Sequence, residues 1–359
     1  MLRPLFLVPI YLIVKKSKME KELTQKRVRV DIDALPTHEE IRSCLDKDGY
    51  MVIRGVFSER MCEYIYSLFW DYMEGMNPKL KRKDPSTWTN EELPLTTKGL
   101  IQQYNAGFQE YSILTHEWMR PIFERVWNTK KLVCSFDGTS FTRKPFKRAQ
   151  FKNLADWKAR AWEKNPVHID QTTVGFSSVQ SGVAIQDQDE NGHTFLCIPQ
   201  SHLYHEELLK LQKVEEENWQ IMNEAQLNLL KSKGLEMTRV PMNAGDVVLW
   251  RSDVVHASAP YCQDADEKKH RLQVFVSMGP VLESKTERVK ESVIRQKAYD
   301  QGRVSKHSAR RIKLFTRRPR LYSKGHVIQY EKFKIPPSAP MRKKTRLLYG
   351  LDVYSDDEE

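Results

Sequence analysis

Apolar positions along this chain change period near residue 131. Before it they recur at helical spacing. Leu35-Pro-Thr-His-Glu-Glu opens the first element, with Thr37 and Glu40 at capping-box spacing ahead of Ile41 and Leu45, and Gly49 closes it. Tyr50-Met-Val-Ile-Arg-Gly reads as a strand ending at Gly55, after which Ser58 caps an amphipathic helix whose Met61, Ile65, Leu68, Phe69 and Tyr72 share one face. The Pro-, Lys- and Thr-rich stretch from Gly75 to Thr97 predicts a loop, and Glu110 to Trp127 resumes helical spacing.

From Lys131 onward, short runs at 132–136, 139–143, 166–170, 178–186, 193–198, 237–241, 246–250, 254–257 and 270–277 alternate with Gly, Asn, Asp or Pro. That rhythm predicts a sandwich or barrel, so the fold class is α+β, mainly β. One charged interruption, Leu203 to Lys233, predicts a helix stopped by Gly234 and packed outside the barrel. A further helix runs to Tyr299, and beyond Gly302 the chain becomes basic and Pro-punctuated. The organisation expected is an extension outside the fold over 1–34 and a domain over 35–280. That domain comprises a helix-and-strand part at 35–130 and a β core at 131–280 with its insert at 203–235. A basic segment follows at 281–350, then an acidic end at 351–359.

Of the 359 residues, 40% are hydrophobic and 29% charged, which excludes a disordered, collagen-like or multi-span membrane chain. The net charge of +11 suggests nucleic acid until it is located. Residues 281–350 hold 20 Lys/Arg against 5 Asp/Glu and the last nine residues hold five acids, so residues 1–280 are close to neutral. Five scattered cysteines, never spaced as C-x-x-C, point to a reducing, intracellular compartment, the cytoplasm in the first place. The apolar run Leu5 to Val14 is too short for a stable membrane span and lacks a small-x-small cleavage site after it, although it leaves a targeting signal open.

The chemistry begins with His-x-Asp/Glu, because residues i and i+2 of a strand project to one face and can share a metal ion. The chain has three such triplets. His38-Glu-Glu40 and His205-Glu-Glu207 fall in first turns of expected helices, where i and i+2 diverge; His168-Ile-Asp170 alone lies in an extended segment. His256, at the end of Gly245-Asp-Val-Val-Leu-Trp-Arg-Ser-Asp-Val-Val-His, is the candidate third ligand. Two histidines and a carboxylate suit non-haem Fe(II), with positions left open for dioxygen and a 2-oxo acid cosubstrate. A buried distal carboxylate on that cosubstrate needs a partner, which Arg271 is placed to supply, with Ser258 on the His256 strand face adding a hydroxyl.

His168-Ile-Asp170, the run Asn191-Gly-His-Thr-Phe-Leu-Cys-Ile-Pro-Gln-Ser-His202, the run Ala244 to Pro260 and Arg271 together resemble the phytanoyl-CoA dioxygenase family, as does the early Asp48 to Met61. The resemblance spans roughly Leu35 to Gly279. It implies a double-stranded β-helix (jelly-roll, cupin-like) core with flanking helices and an Fe(II)- and 2-oxoglutarate-dependent dioxygenase. His168, Asp170 and His256 would be the metal ligands and Arg271 the 2-oxoglutarate anchor. The expected reaction hydroxylates a small organic substrate, anionic in one reading, with succinate and carbon dioxide as co-products.

Gln171, Thr172 and Arg143 are candidates to line the substrate pocket, against the plainer reading that such residues satisfy turns. His193, His202 and His205, without a carboxylate at chelating spacing, read as capping or surface histidines. The basic segment admits three readings: a cover docked on the barrel, an anion-binding lid, or a nucleic-acid patch whose Phe315, Tyr322, Tyr330, Phe333 and Tyr349 stack on bases. The last belongs to a different class of function, a jelly-roll that has lost turnover and serves as a binding scaffold through residues 303–350. Oligomeric state leaves no mark in the sequence.

Overall fold

The computed structural model describes residues 30–89, 92–94, 99–143, 166–214, 218–262, 269–315 and 332–355. Thr37 accepts the Glu40 N–H while the Glu40 carboxylate accepts the Thr37 N–H at 2.7 Å, so helix α1 (His38–Lys47) starts at the capping box. Strand β1 (Tyr50–Ile53) and helix α2 (Glu59–Met76), capped by Ser58, follow. The turn between α1 and β1 accepts only glycine. Gly49 has φ +81°, and a Cβ there would lie 2.3 Å from Val254 and 2.6 Å from His202. Strand β2 (Leu100–Ile101) and helix α3 (Glu110–Trp127) complete the first part.

The remaining strands are β3 (Leu132–Cys134), β4 (Thr139–Arg143), β5 (His168–Ile169), β6 (Val179–Ala184), β7 (Phe195–Cys197), β8 (Gln220–Ile221), β9 (Thr238–Val240), β10 (Val247–Arg251), β11 (His256–Ser258) and β12 (His270–Pro280). They form two antiparallel sheets. One runs β1-β10-β6-β12-β4-β2 with β3 also on β12, the other β8-β5-β11-β7-β9. This is the double-stranded β-helix core with flanking helices.

The alternation of Arg271-Leu-Gln-Val-Phe-Val-Ser-Met divides the larger sheet into two faces. Leu272, Val274, Val276 and Met278 face outward and share one core with Val183, Val247, Phe141 and the apolar stripes of α2 and α3. On the inner face, Ala184, Val248, Trp250 and Phe275 meet Phe195, Cys197 and Val240 of the smaller sheet. Arg271, Gln273, Ser277, Ser140, Thr142 and Gln180 occupy inner positions by the same period. The polar site therefore lies between the sheets.

Two expectations need correction. The chain is part of the fold before residue 35: Val30 is buried, and Arg125 donates to Ile32 O at 2.6 Å and to Pro36 O at 2.9 Å; residues 1–29 lie outside the described residues. The 203–235 insert is not one helix. It holds the short helices α4 (His205–Lys210) and α5 (Glu224–Ser232), and between them strand β8 pairs with β5. Its charged residues masked Leu208, Met222 and Leu230, which cover Ile169, Ile198 and Val255 on the smaller sheet.

The basic segment is tied into the core. Helix α6 (Lys285–Gln301) starts at Ser284 and ends at Gly302 (φ +62°), and helix α7 (Lys343–Leu348) precedes the fully buried Tyr349. Phe333 and Tyr349 belong to the main core, whereas Phe315 is half-buried; Tyr322 and Tyr330 lie outside the described residues. Arg295, 1% exposed, donates to Glu291 Oε1 at 2.8 Å, Cys134 O at 2.8 Å, Tyr349 O at 3.0 Å and Ala309 O at 2.5 Å. Near the acidic end, Asp352 pairs with Arg346 at 2.8 Å. Arg295→Met is expected to lower stability by about 3 kcal/mol, since it removes the buried counter-charge of Glu291 and a donor from each of three carbonyls. Chemical denaturation of the full chain measures it.

Candidate metal centre

His168 and His256 are direct Cα partners across β5 and β11, which sets their rings 4.4 Å apart between centroids. Asp170 follows one residue after β5 ends. Its N–H donates to Ser252 O at 2.8 Å, which prolongs the extended course and turns its carboxylate to the same side. The His256 Nε2 lies 3.3 Å from Asp170 Oδ2 and the His168 Nε2 3.8 Å from Oδ1. Among the described residues these three form the one cluster of His, Cys, Asp and Glu with ligand atoms close enough for a single ion, all within 4.8 Å.

The donor set fits a metal ion in detail. The His168 Nδ1–H donates to Pro166 O at 2.7 Å and the His256 Nδ1–H to Val254 O at 2.9 Å, so each ring turns its Nε2 toward Asp170. Burial, then the neighbouring His256, pushes His168 down to about 4, and it is neutral at pH 7. Burial acts upward on the Asp170 carboxyl, but the imidazoles of His307, His168 and His256 outweigh it and hold the group ionised, well below the ordinary carboxylate range. Gln180 Nε2 fixes Oδ2 by donating at 2.9 Å. Side-chain exposure is 8% for Asp170 and 6% for His256 against 20% for His168, so the centre opens on the His168 side. Trp219 stands there, 6.3 Å from the His168 ring.

Arg271 lies on the opposed sheet, and it is not on the surface: it is 2% exposed. Its guanidinium donates to Gln188 Oε1 at 3.1 Å, Ser140 Oγ at 3.0 Å, Gln273 Oε1 at 2.5 Å and, at 3.4 Å, the His193 Nδ1. Every one of these acceptors is neutral. No carboxylate pairs with Arg271 among the described residues, where its partners are neutral acceptors alone. Burial pushes it down to about 10, so it is charged at pH 7. Gln273 reaches it because position 182 is glycine; a Cβ there would lie 1.8 Å from Gln273 Nε2.

The other candidates divide. Ser258 is half-buried on the His256 face of β11, in register with Phe195. Gln171 is spent on its own turn: its Nε2 donates to Thr173 O at 2.7 Å and to Gly175 O, and its Oε1 accepts from Ser177 Oγ at 2.6 Å. Thr172 Oγ1 accepts the Asn218 N–H at 3.2 Å. Arg143 points to the 85–88 loop and donates to Pro85 O at 3.1 Å and to Trp88 O. Gln171 and Arg143 thus brace main-chain turns.

Three histidines taken as capping or surface groups are buried. His193 lies 2.8 Å from Thr142 Oγ1 and stacks on Tyr261, and burial together with the Arg271 guanidinium holds it neutral. His202 and His205 donate from Nε2 to Asp46 O at 3.0 Å and Gln171 O at 2.8 Å. The sequence reading missed a third imidazole at the centre. The His307 Nδ1 lies 3.7 Å from Asp170 Oδ1 and its Nε2 3.1 Å from Asp170 O. No local spacing signals this contact, which spans 137 residues.

Among known proteins, "Ava biosynthesis cluster protein O" of Aspergillus versicolor is 24% identical over 269 residues, 71% of this chain and 82% of that one. The solved structure of the epimerase SnoN with Fe3+, alpha ketoglutarate and nogalamycin RO is 14% identical, covers 68% of this chain and 83% of its own, and superposes with a TM-score of 0.43. That of EctD from S. alaskensis with 2-oxoglutarate and 5-hydroxyectoine is 11% identical, covers 69% and 77%, and gives 0.45. The sequence pattern of the phytanoyl-CoA dioxygenase family matches residues 45–262, more than half of the chain. The chain belongs to the phytanoyl-CoA dioxygenase family, whose members are iron- and 2-oxoglutarate-dependent oxygenases.

Proposed function

We propose that this chain binds Fe(II) through His168, Asp170 and His256, binds 2-oxoglutarate with its distal carboxylate on Arg271, and hydroxylates an unactivated C–H bond of a small organic substrate. The observation that carries the reading is the pairing of a two-histidine, one-carboxylate centre with a buried guanidinium on the facing sheet that has no carboxylate partner among the described residues. When bound, iron with dioxygen supplies conversion of 2-oxoglutarate to succinate and carbon dioxide and delivery of a hydroxyl group to the substrate.

The chain's own residues do the rest. The Pro166 and Val254 carbonyls fix the tautomers that expose both Nε2 atoms. Gln180 keeps Asp170 oriented, and Gln188, Ser140 and Gln273 aim the Arg271 fork. Apolar Phe195 and Trp250, with ring centroids 6.0 Å and 5.6 Å from that of His256, keep bulk water from one side. The A. versicolor relative, named for a biosynthesis cluster, supports a small-molecule substrate.

All five cysteines are free thiols, which supports a reducing compartment, and no described helix is long and apolar enough to cross a membrane. The scaffold reading loses two of its stacking aromatics, since Phe333 and Tyr349 are spent in the core.

Turnover under labelled dioxygen tests the reaction: one labelled oxygen is expected in succinate and one in the product. Label in succinate with none in any product would overturn the hydroxylation. Gly182→Ala provides a milder check, since its methyl displaces Gln273 from Arg271. Its KM for 2-oxoglutarate is expected to rise by about tenfold with iron binding unchanged.

A further inference from the structure

The main chain around Asp170 is held from two places outside the ligand strands. The Asp170 carbonyl accepts from the His307 Nε2 at 3.1 Å, and the next carbonyl, that of Gln171, accepts from the His205 Nε2 at 2.8 Å. A carbonyl only accepts, so both imidazoles carry their proton on Nε2, opposite to His168 and His256. His205 begins α4 within the insert. It is buried and its Nδ1 has no partner among the described residues, so the bond to Gln171 is the polar contact its burial serves.

His307 comes from the C-terminal segment, beyond the residues that match the family. It is brought to the centre by a small antiparallel loop. The Phe136 N–H donates to Ser305 Oγ at 2.9 Å and the Ser305 N–H to Phe136 O at 3.1 Å. Ser305 also bridges Leu314, and Arg310 donates to Ser177 O at 3.2 Å, so His307 is pinned on both sides. Neither histidine belongs to the ligand set, and neither is used in the reaction above.

We propose that His205 and His307 are positioning residues of the metal centre, which hold the Asp170–Gln171 main chain so that the carboxylate meets the two Nε2 atoms. The insert and the basic C-terminal segment thereby complete the site. This rests on the metal-binding reading of His168, Asp170 and His256. Partners that orient a ligand in this way are worth about 10–100-fold in metal affinity.

The test is Co(II) titration of the full chain, read by visible absorption, for the wild type, His205→Ala, His307→Ala, His307→Gln and His307→Phe, with thermal unfolding of each apoprotein alongside. Each alanine variant is expected to bind Co(II) at least tenfold more weakly. His307→Gln keeps a donor for the Asp170 carbonyl and is expected to recover most of the affinity, while His307→Phe, which keeps only bulk, is not. Wild-type affinity in both alanine variants would overturn the proposal, as would rescue by Phe equal to that by Gln. Failure of the wild type itself to bind Co(II) would overturn the metal-centre reading instead. Should His307→Ala not fold, the Gln and Phe pair decides.

Discussion

Asp170→Ala is expected to reduce turnover by about 10³-fold or more and to abolish stoichiometric Fe(II) binding. Residues that merely orient a ligand cost about 10–100-fold, and Asp170 supplies the charged ligand itself. The loss should be one of metal, with the fold retained, because Gln180 Nε2 keeps a second acceptor in Ser252 Oγ at 3.1 Å. Equilibrium dialysis with iron analysis, beside thermal unfolding, separates the two. Wild-type iron content in the variant would remove Asp170 from the ligand set.

Arg271→Gln is expected to raise the KM for 2-oxoglutarate by about 100-fold. Breaking a buried charge pair costs about 2–5 kcal/mol, and each 1.4 kcal/mol is tenfold. Arg271→Lys is expected to fail nearly as badly, since a point charge cannot replace the fork that Gln188, Ser140 and Gln273 hold. Iron affinity should stay within twofold in both, because Arg271 touches none of the three ligands. That split between cosubstrate and metal distinguishes an anchor from a residue that only supports the sheet. Steady-state kinetics in 2-oxoglutarate, together with metal titration, reads it.

What the sequence made legible follows physical range. The capping box at Thr37, the Ser58 cap and the strand periods are local, and each is set by a few neighbouring residues. His168, Asp170 and His256 were readable because strand geometry forces i and i+2 together and because His256 ends an apolar strand. Arg271 was readable for a related reason: on β12 its polar side chain alternates with Leu272 and Val274, so it must face inward.

The misreadings came from contacts distant in sequence. His193 looked peripheral because its partners, Thr142 and Arg271, lie 51 and 78 residues away. The main-chain partners of Gln171 and Arg143 were not legible because a polar side chain beside a ligand strand gives no sign of which carbonyl it will find. The insert read as one helix because its charges outnumbered the few apolar residues that cover Ile169 and Val255. The basic tail concealed the most, since charge described its surface while Phe333, Tyr349 and Arg295 described its interior.

The central claim is that one Fe(II) ion and one 2-oxoglutarate molecule bind together between the two sheets. Anaerobic addition of both to the purified chain tests it most directly. The account predicts a visible charge-transfer band that needs both components, is absent in His168→Ala, and in Arg271→Gln appears only at much higher 2-oxoglutarate. No band with the intact protein, or a band that persists in His168→Ala, would contradict it.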